Sequence, residues 1–100
     1  MKQIFSQQTR QLADRHARYN KVFSSPQRVL ILWLLMESEK TVSEIAEAIG
    51  ASRPRTSQHL LIMKHGNILE AKRVQKYTYY RIVDNEFLKN YPLVSLCPKK

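Results

Sequence analysis

Residues 41–58, TVSEIAEAIGASRPRTSQ, constrain the fold of this 100-residue chain more than any other stretch. Thr41 and Glu44 have the spacing of a capping box, in which each side chain takes up a backbone N–H at a helix start. Val42, Ile45, Ala46 and Ile49 then recur at helical spacing. Gly50 suits the left-handed residue that ends such a helix, and Ser52 is placed to cap the next one. That second helix opens with Arg53, Arg55, Ser57 and Gln58, a group of side-chain donors on a cationic end. Two short helices about a tight turn, the second donor-rich at its start, have the layout of a helix-turn-helix. In that motif the second helix offers its N-terminal residues to base edges in the major groove.

The charge distribution points the same way. Lys and Arg outnumber Asp and Glu by 17 to 8, a net +9 that favours polyanions as partners. Residues 53–81 carry Arg53, Arg55, Lys64, Lys72, Arg73, Lys76 and Arg81 against Glu70 alone, whereas residues 37–50 carry four glutamates against Lys40. A solvated face mixes signs; this segregation is an electrostatic footprint. One hundred residues with 43% apolar content suit one domain with a single modest core. So small a core gains from sharing surface with a second copy. The apolar run 29–36 is too short to span a bilayer, and the first residues lack the apolar segment of a signal peptide. A single cysteine, Cys97, excludes an intrachain disulfide. A cytoplasmic protein without membrane contact is the simplest reading.

Three further segments complete the architecture. Residues from about 3 to 23 lack Pro and Gly, and Phe5, Leu12, His16, Tyr19 and Phe23 fall near one helical stripe. Ser25 followed by Pro26 predicts a cap with proline in the first turn. The helix it starts, through about Met36, is apolar nearly all round. After the recognition helix, which Gly66-Asn67 should stop, residues 68–73 and 77–83 read as two strands joined around Val74, Gln75 and Lys76. A basic β-hairpin in that position is a wing. Asp84 is placed to cap a last helix bearing Phe87, Leu88, Tyr91, Val94 and Leu96, with a kink or break at Pro92.

These residues together resemble the ArsR-type family of winged-helix transcriptional regulators. The resemblance runs from about residue 24 to 83. It is carried by Ser25-Pro26-Gln27-Arg28 with Ile31-Leu32, by Val42-Ser43-Glu44-Ile45-Ala46, and by Ser52-Arg53-Pro54. Ser57-Gln58-His59-Leu60 and the wing's closing Tyr79-Tyr80-Arg81-Ile82 complete it. It implies a mostly α fold with a small β-hairpin wing (α+β), helices flanking a winged helix-turn-helix core at both ends. It also implies a homodimer built on the first and last helices, and contact of the recognition helix and wing with double-stranded operator DNA. The expected organisation is a single domain, 1–100: a dimerisation helix over 1–23, the core over 24–83 (helix-turn-helix 41–49 and 53–65, wing 68–83), and a C-terminal helix and tail over 84–100.

The expected DNA contacts are Ser52, Arg53, Arg55, Ser57, Gln58 and His59 on the recognition helix and Lys72, Arg73 and Lys76 on the wing. Arginine can grip guanine in a forked contact and glutamine can pair with adenine; wing lysines suit phosphate or the minor groove. His59 reads as a partly buried structural or phosphate-bonding residue rather than a metal ligand. Ile4, Phe5, Leu12, Tyr19, Phe87, Leu88 and Tyr91 are the expected dimer residues. Soft-metal sensors of the family carry Cys-x-Cys where Thr41 and Ser43 stand, and hydroxyls do not replace thiolates. Zinc sensors place Asp and His on the last helix; the matching positions here are Asp84, Glu86, Cys97 and Lys100, without an imidazole and with a lysine in a ligand place. No metal site, cofactor or catalytic constellation is therefore expected, and the effector is left unnamed. Cys97 stays open as a redox group or an intersubunit disulfide. Trp33 and Leu30 read as packing against the terminal helices, with a small apolar ligand pocket as the alternative. The function expected is sequence-specific transcriptional regulation, as a repressor at a pseudo-palindromic operator. A protein-interaction module and a nonspecific architectural DNA binder are the alternatives.

Overall fold

The computed structural model describes residues 3–98. Its elements are α1 (Gln7–Val22), α2 (Pro26–Leu35), β1 (Lys40–Thr41), α3 (Val42–Ile49), α4 (Arg53–His65), β2 (Leu69–Val74), β3 (Tyr77–Ile82), α5 (Glu86–Lys89) and α6 (Pro92–Ser95). The mostly helical fold with a small wing is the one expected. Local chemistry sets most boundaries. Ser25 Oγ accepts from Arg28 N ahead of Pro26. At α3 the capping box is complete: Thr41 N donates to Glu44 Oε1 at 2.9 Å, and Glu44 N to Thr41 Oγ1 at 3.3 Å. These bonds hold the Glu44 carboxyl below its usual pKa.

Several boundaries differ from the sequence reading. α1 starts at Gln7, not near residue 3, because Ser6 Oγ accepts from Thr9 N and caps it there; Ile4 and Phe5 precede the helix. α4 ends at His65 ahead of Gly66-Asn67 as expected, with Asn67 (φ 59°) the left-handed residue and Gly66 at φ −78°. A Cβ at Gly66 would lie 3.2 Å from Val22 Cγ2, close enough that the valine side chain would have to shift. The last helix is capped by Asn85, whose Oδ1 accepts from Leu88 N, and not by Asp84, which pairs with Lys89 at 2.9 Å. Pro92 divides it into the single turns α5 and α6, because proline cannot supply the N–H that would continue the helix. β1 was not foreseen: two residues carry no periodicity.

β1, β3 and β2 form an antiparallel sheet in that order, with Lys40 opposite Tyr80, Leu69 opposite Ile82 and Val74 opposite Tyr77. β1 thereby ties the start of α3 to the wing. The core lies between α2, α3, α4 and the base of the sheet: Ile31, Leu32, Ile45, Leu60, Met63, Ile68 and Leu69 are buried, each such side chain contributing about 1.5–3 kcal/mol. α2 is less enclosed than its composition suggests, with Leu30 and Met36 exposed and Trp33 half-buried. Trp33 Nε1 donates to Leu93 O at 2.8 Å, which packs α2 against the C-terminal segment.

α1 meets the body only through its last turns. Tyr19 stands edge-on to Phe87 and to Tyr91, at centroid distances of 5.0 and 5.3 Å, and Phe23 lies 5.6 Å from Tyr91. Tyr91 Oη donates to Asn20 Oδ1. The protein measures 55 × 29 × 22 Å with a radius of gyration of 15.3 Å, above the ~13 Å of a compact chain of this length.

Candidate nucleic-acid interface

Placement of α4 begins at the turn before it. Gly50 adopts φ 70°, ψ 37°, and Ala51 N returns to Ala46 O at 3.0 Å, closing α3. Ser52 Oγ then accepts from Arg55 N at 3.3 Å and starts α4, with Pro54 in the first turn where no N–H is needed. Thr56, Leu60 and Met63 face the core. Arg53, Arg55, Ser57 and Gln58 are all exposed, with Gln58 opposite the core.

His59 ties α4, rolled with its buried side inward, to α2. Its Nδ1 lies 3.1 Å from Arg28 Nη1 and its Nε2 2.9 Å from Gln27 Oε1, both on α2. Arg28 in turn donates from Nε to Val22 O at 2.6 Å. A guanidinium only donates, so Nδ1 must be the acceptor and Nε2 must carry the proton it gives to Gln27. The ring is thereby held neutral in one tautomer. Burial, then the Arg28 and Arg55 guanidinium charges, depress its pKa from the ordinary value. Of the two roles expected for His59, the geometry supports the structural one. Gln27 and Arg28 are the positioning residues missed by the sequence reading. They lie 32 and 31 residues from His59, and no local pattern signals so distant a contact.

The wing turns through two residues, Gln75 and Lys76. Gln75 has φ 56° and Lys76 is not among the positive-φ residues, the signs of a type II′ turn. Arg73 Nε donates to Gln75 O at 3.0 Å across it, and the Lys76 ammonium sits 5.5 Å from the Tyr77 ring centre. Glu70 is taken by Arg81 at 2.7 Å. Among the described residues, Arg53, Arg55, Lys64, Lys72, Arg73 and Lys76 therefore form no salt bridge with a carboxylate. Lys72, Arg73 and Lys76 are exposed, as are Arg53, Arg55, Ser57 and Gln58. Ser52, also exposed, has its hydroxyl engaged as the α4 cap.

The expected dimer residues separate into two groups. Tyr19, Leu88 and Tyr91 are buried within the chain itself, and Phe87 is half-buried under His16 and Arg15. They lie inside the fold rather than offer surface, because α5 and Tyr91 fold back onto the last turns of α1. Ile4, Phe5 and Leu12 remain open, at 83%, 60% and 48% exposure.

The positions matching the family's metal ligands are occupied otherwise. Thr41 Oγ1 belongs to the capping box, and the Lys89 ammonium holds Asp84 below the usual carboxylate range; Lys100 lies outside the described residues. Among the described residues no three His, Cys, Asp or Glu side chains gather where one ion would bind. An apolar cleft of about 640 Å³ opens between α2, the end of α3 and the C-terminal segment, lined by Leu30, Trp33, Leu34, Ile49 and Cys97 among others. Among the described residues no helix is long and apolar enough to cross a membrane.

Comparison with known proteins agrees with this architecture. Residues 25–71 match the family model described as bacterial regulatory protein, arsR family. An HTH-type transcriptional regulator of Mycobacterium tuberculosis is 34% identical over 85% of this chain and 38% of its own length. The biofilm growth-associated repressor of Xylella fastidiosa is 32% identical over 72% of this chain and 63% of its own length. The chain thus spans less than two thirds of either relative. The solution structure of a homodimeric winged helix-turn-helix DNA-binding domain from Mycobacterium bovis superposes with a TM-score of 0.75 at 32% identity, over 95% of this chain and 88% of that one. The chain belongs to the ArsR family of bacterial winged helix-turn-helix transcriptional regulators.

Proposed function

We propose that this protein is a homodimeric, sequence-specific transcriptional repressor that sets α4 into the major groove of a pseudo-palindromic operator and lays its basic wing on the backbone or minor groove. The observation that carries the reading is that α4 and the wing expose six cations lacking a carboxylate partner among the described residues, and α4 also exposes the donors Ser57 and Gln58. Cations not neutralised by a carboxylate are available to displace the counterions of a phosphate backbone. Arg53 and Gln58, at the helix start, have the chemistry to read guanine and adenine. Ser52 and His59 act in this reading by holding α4, and Lys72, Arg73 and Lys76 supply backbone affinity.

The dimer is supported by the exposed Ile4, Phe5 and Leu12 on an arm the chain leaves largely uncovered, and by the homodimeric Mycobacterium bovis relative. Two-fold symmetry spaces the two α4 helices about one helical turn apart. The test is selection of bound duplexes from a random pool, followed by affinity measurement at several salt concentrations with sedimentation of the free protein. A pseudo-palindromic site, a steep salt dependence and a dimeric mass are expected. Arg53→Ala or Gln58→Ala should each cost on the order of 1–3 kcal/mol on the selected site. Equal affinity for all duplexes, unchanged binding by both variants, or a monomer at micromolar concentration would refute it.

A further inference from the structure

The outward side of α4 carries two exposed aliphatic side chains, Leu61 and Ile62, that DNA-backbone chemistry does not explain. With Thr56, Leu60 and Met63 buried, the ~100° step of a helix sets Pro54, Gln58 and Leu61 on the opposite side. Leu61, 52% exposed, lies on the flank of that face shared with Ser57, and Ile62, 43% exposed, on the other flank; Leu61 belongs neither to the buried core nor to the half-buried residues packed on it. Along its stripe the neighbours are polar: Ser57 and Gln58 one turn back, and the exposed Lys64 one turn on. Among the described residues, this large aliphatic side chain stands amid donors and outside the core cluster.

Helix geometry ties Leu61 to the reading residues. Pro54, Ser57, Gln58 and Leu61 stand at i, i+3, i+4 and i+7, a single stripe by which one helix addresses successive bases. Seven residues rise about 10 Å, or roughly three base-pair steps of ~3.4 Å. On the major-groove edges of the four base pairs, the apolar group is the C5 methyl of thymine; every other feature is a hydrogen-bond donor or acceptor. We infer that Leu61 is a specificity residue that packs on a thymine methyl in each half-site, beside Gln58 on adenine, so that the α4 footprint centres on A·T pairs. The inference rests on the DNA-reading role of α4 proposed above. The charge around Leu61 favours nucleic acid over a protein partner, since the flanking Arg53, Arg55 and Lys64 suit phosphates on either side of the groove.

The test uses the whole chain and a duplex selected from a random pool. Each thymine of the selected half-site is replaced in turn by deoxyuridine, which removes the methyl and keeps the pairing and the O4 acceptor. At one position per half-site, affinity should fall about fourfold, the worth of one buried carbon of this kind. Leu61→Ala should abolish the thymine–uracil difference at that position while retaining the wild-type salt dependence, a double-mutant cycle with one partner on the DNA. As Leu61 is exposed, its truncation leaves the core intact, and an unchanged melting curve verifies this. Three results would overturn the inference: no methyl-sensitive position, persistence of the difference in Leu61→Ala, or loss of self-association in that variant in place of methyl discrimination. A chain that selects no sequence at all would instead remove the DNA-reading role itself.

Discussion

Replacing His59 with phenylalanine keeps a ring of similar bulk against α2 and deletes both of the hydrogen bonds by which His59 ties α4 to that helix. Arg28 Nη1 loses its acceptor at 3.1 Å, and Gln27 Oε1 loses its donor at 2.9 Å. A hydrogen bond from a charged donor contributes about 1.5–3 kcal/mol net and a neutral one about 0.5–1.5. All three residues are half-buried, so water replaces part of the loss and about 2 kcal/mol is expected for the pair. That is a large share of a stability of about 5–15 kcal/mol, yet the domain should still fold. At about 4–8 °C per kcal/mol for a domain of this size, the midpoint should drop by roughly 8–16 °C. The assay is thermal unfolding followed by circular dichroism at one fixed protein concentration, because the proposed dimerisation would make the midpoint concentration-dependent.

The pH dependence adds a second readout. The folded-state pKa of His59 is depressed, so between that value and the ordinary one near ~6.5 the unfolded chain binds a proton that the folded chain refuses. Stability from this group is complete above the ordinary value and is lost as pH falls through the depressed one. Wild type should therefore lose more stability than His59→Phe between pH 7.5 and 5.5, and the gap between them should narrow. His16 and His65 are common to both proteins and cancel. A midpoint within about 2 °C of wild type at pH 7.5, or a gap that stays constant or widens with acidity, would refute the assigned tautomer and clasp.

Two backbone predictions test how the reading elements are held. Gly50→Ala introduces a Cβ with nothing within 4 Å, so its cost is the left-handed backbone alone. That is about 1–2 kcal/mol, less up to ~1 from the stiffer unfolded chain, and the thermal midpoint should fall while Gly50→Asn lies between the two; an unshifted Gly50→Ala midpoint would contradict the turn. Gln75→Gly relieves a positive-φ side chain at the wing tip and keeps the carbonyl that Arg73 uses. It should stabilise by about 0.5 kcal/mol, the strain relieved less the entropy cost of glycine, so a lower melting midpoint would exclude the type II′ turn.

What residues 41–58 determined by themselves was local: the capping box at Thr41, the left-handed Gly50 and the Ser52 cap each need only neighbours within about one helical turn, so they were legible. The cationic surface was legible for the same reason, since exposed charges need no partner to be found. The clasp of Gln27, Arg28 and His59, the β1–β3 pairing, and the withdrawal of Tyr19, Leu88 and Tyr91 from any outer surface were decided by tertiary structure. Each joins residues distant in sequence, where periodicity reports that a side chain is apolar or polar but not what it meets. Leu61 shows the difference in one residue. Its helical position was readable, and its exposure followed only when Thr56, Leu60 and Met63 had claimed the core, which turns α4 and decides what its outer face can touch.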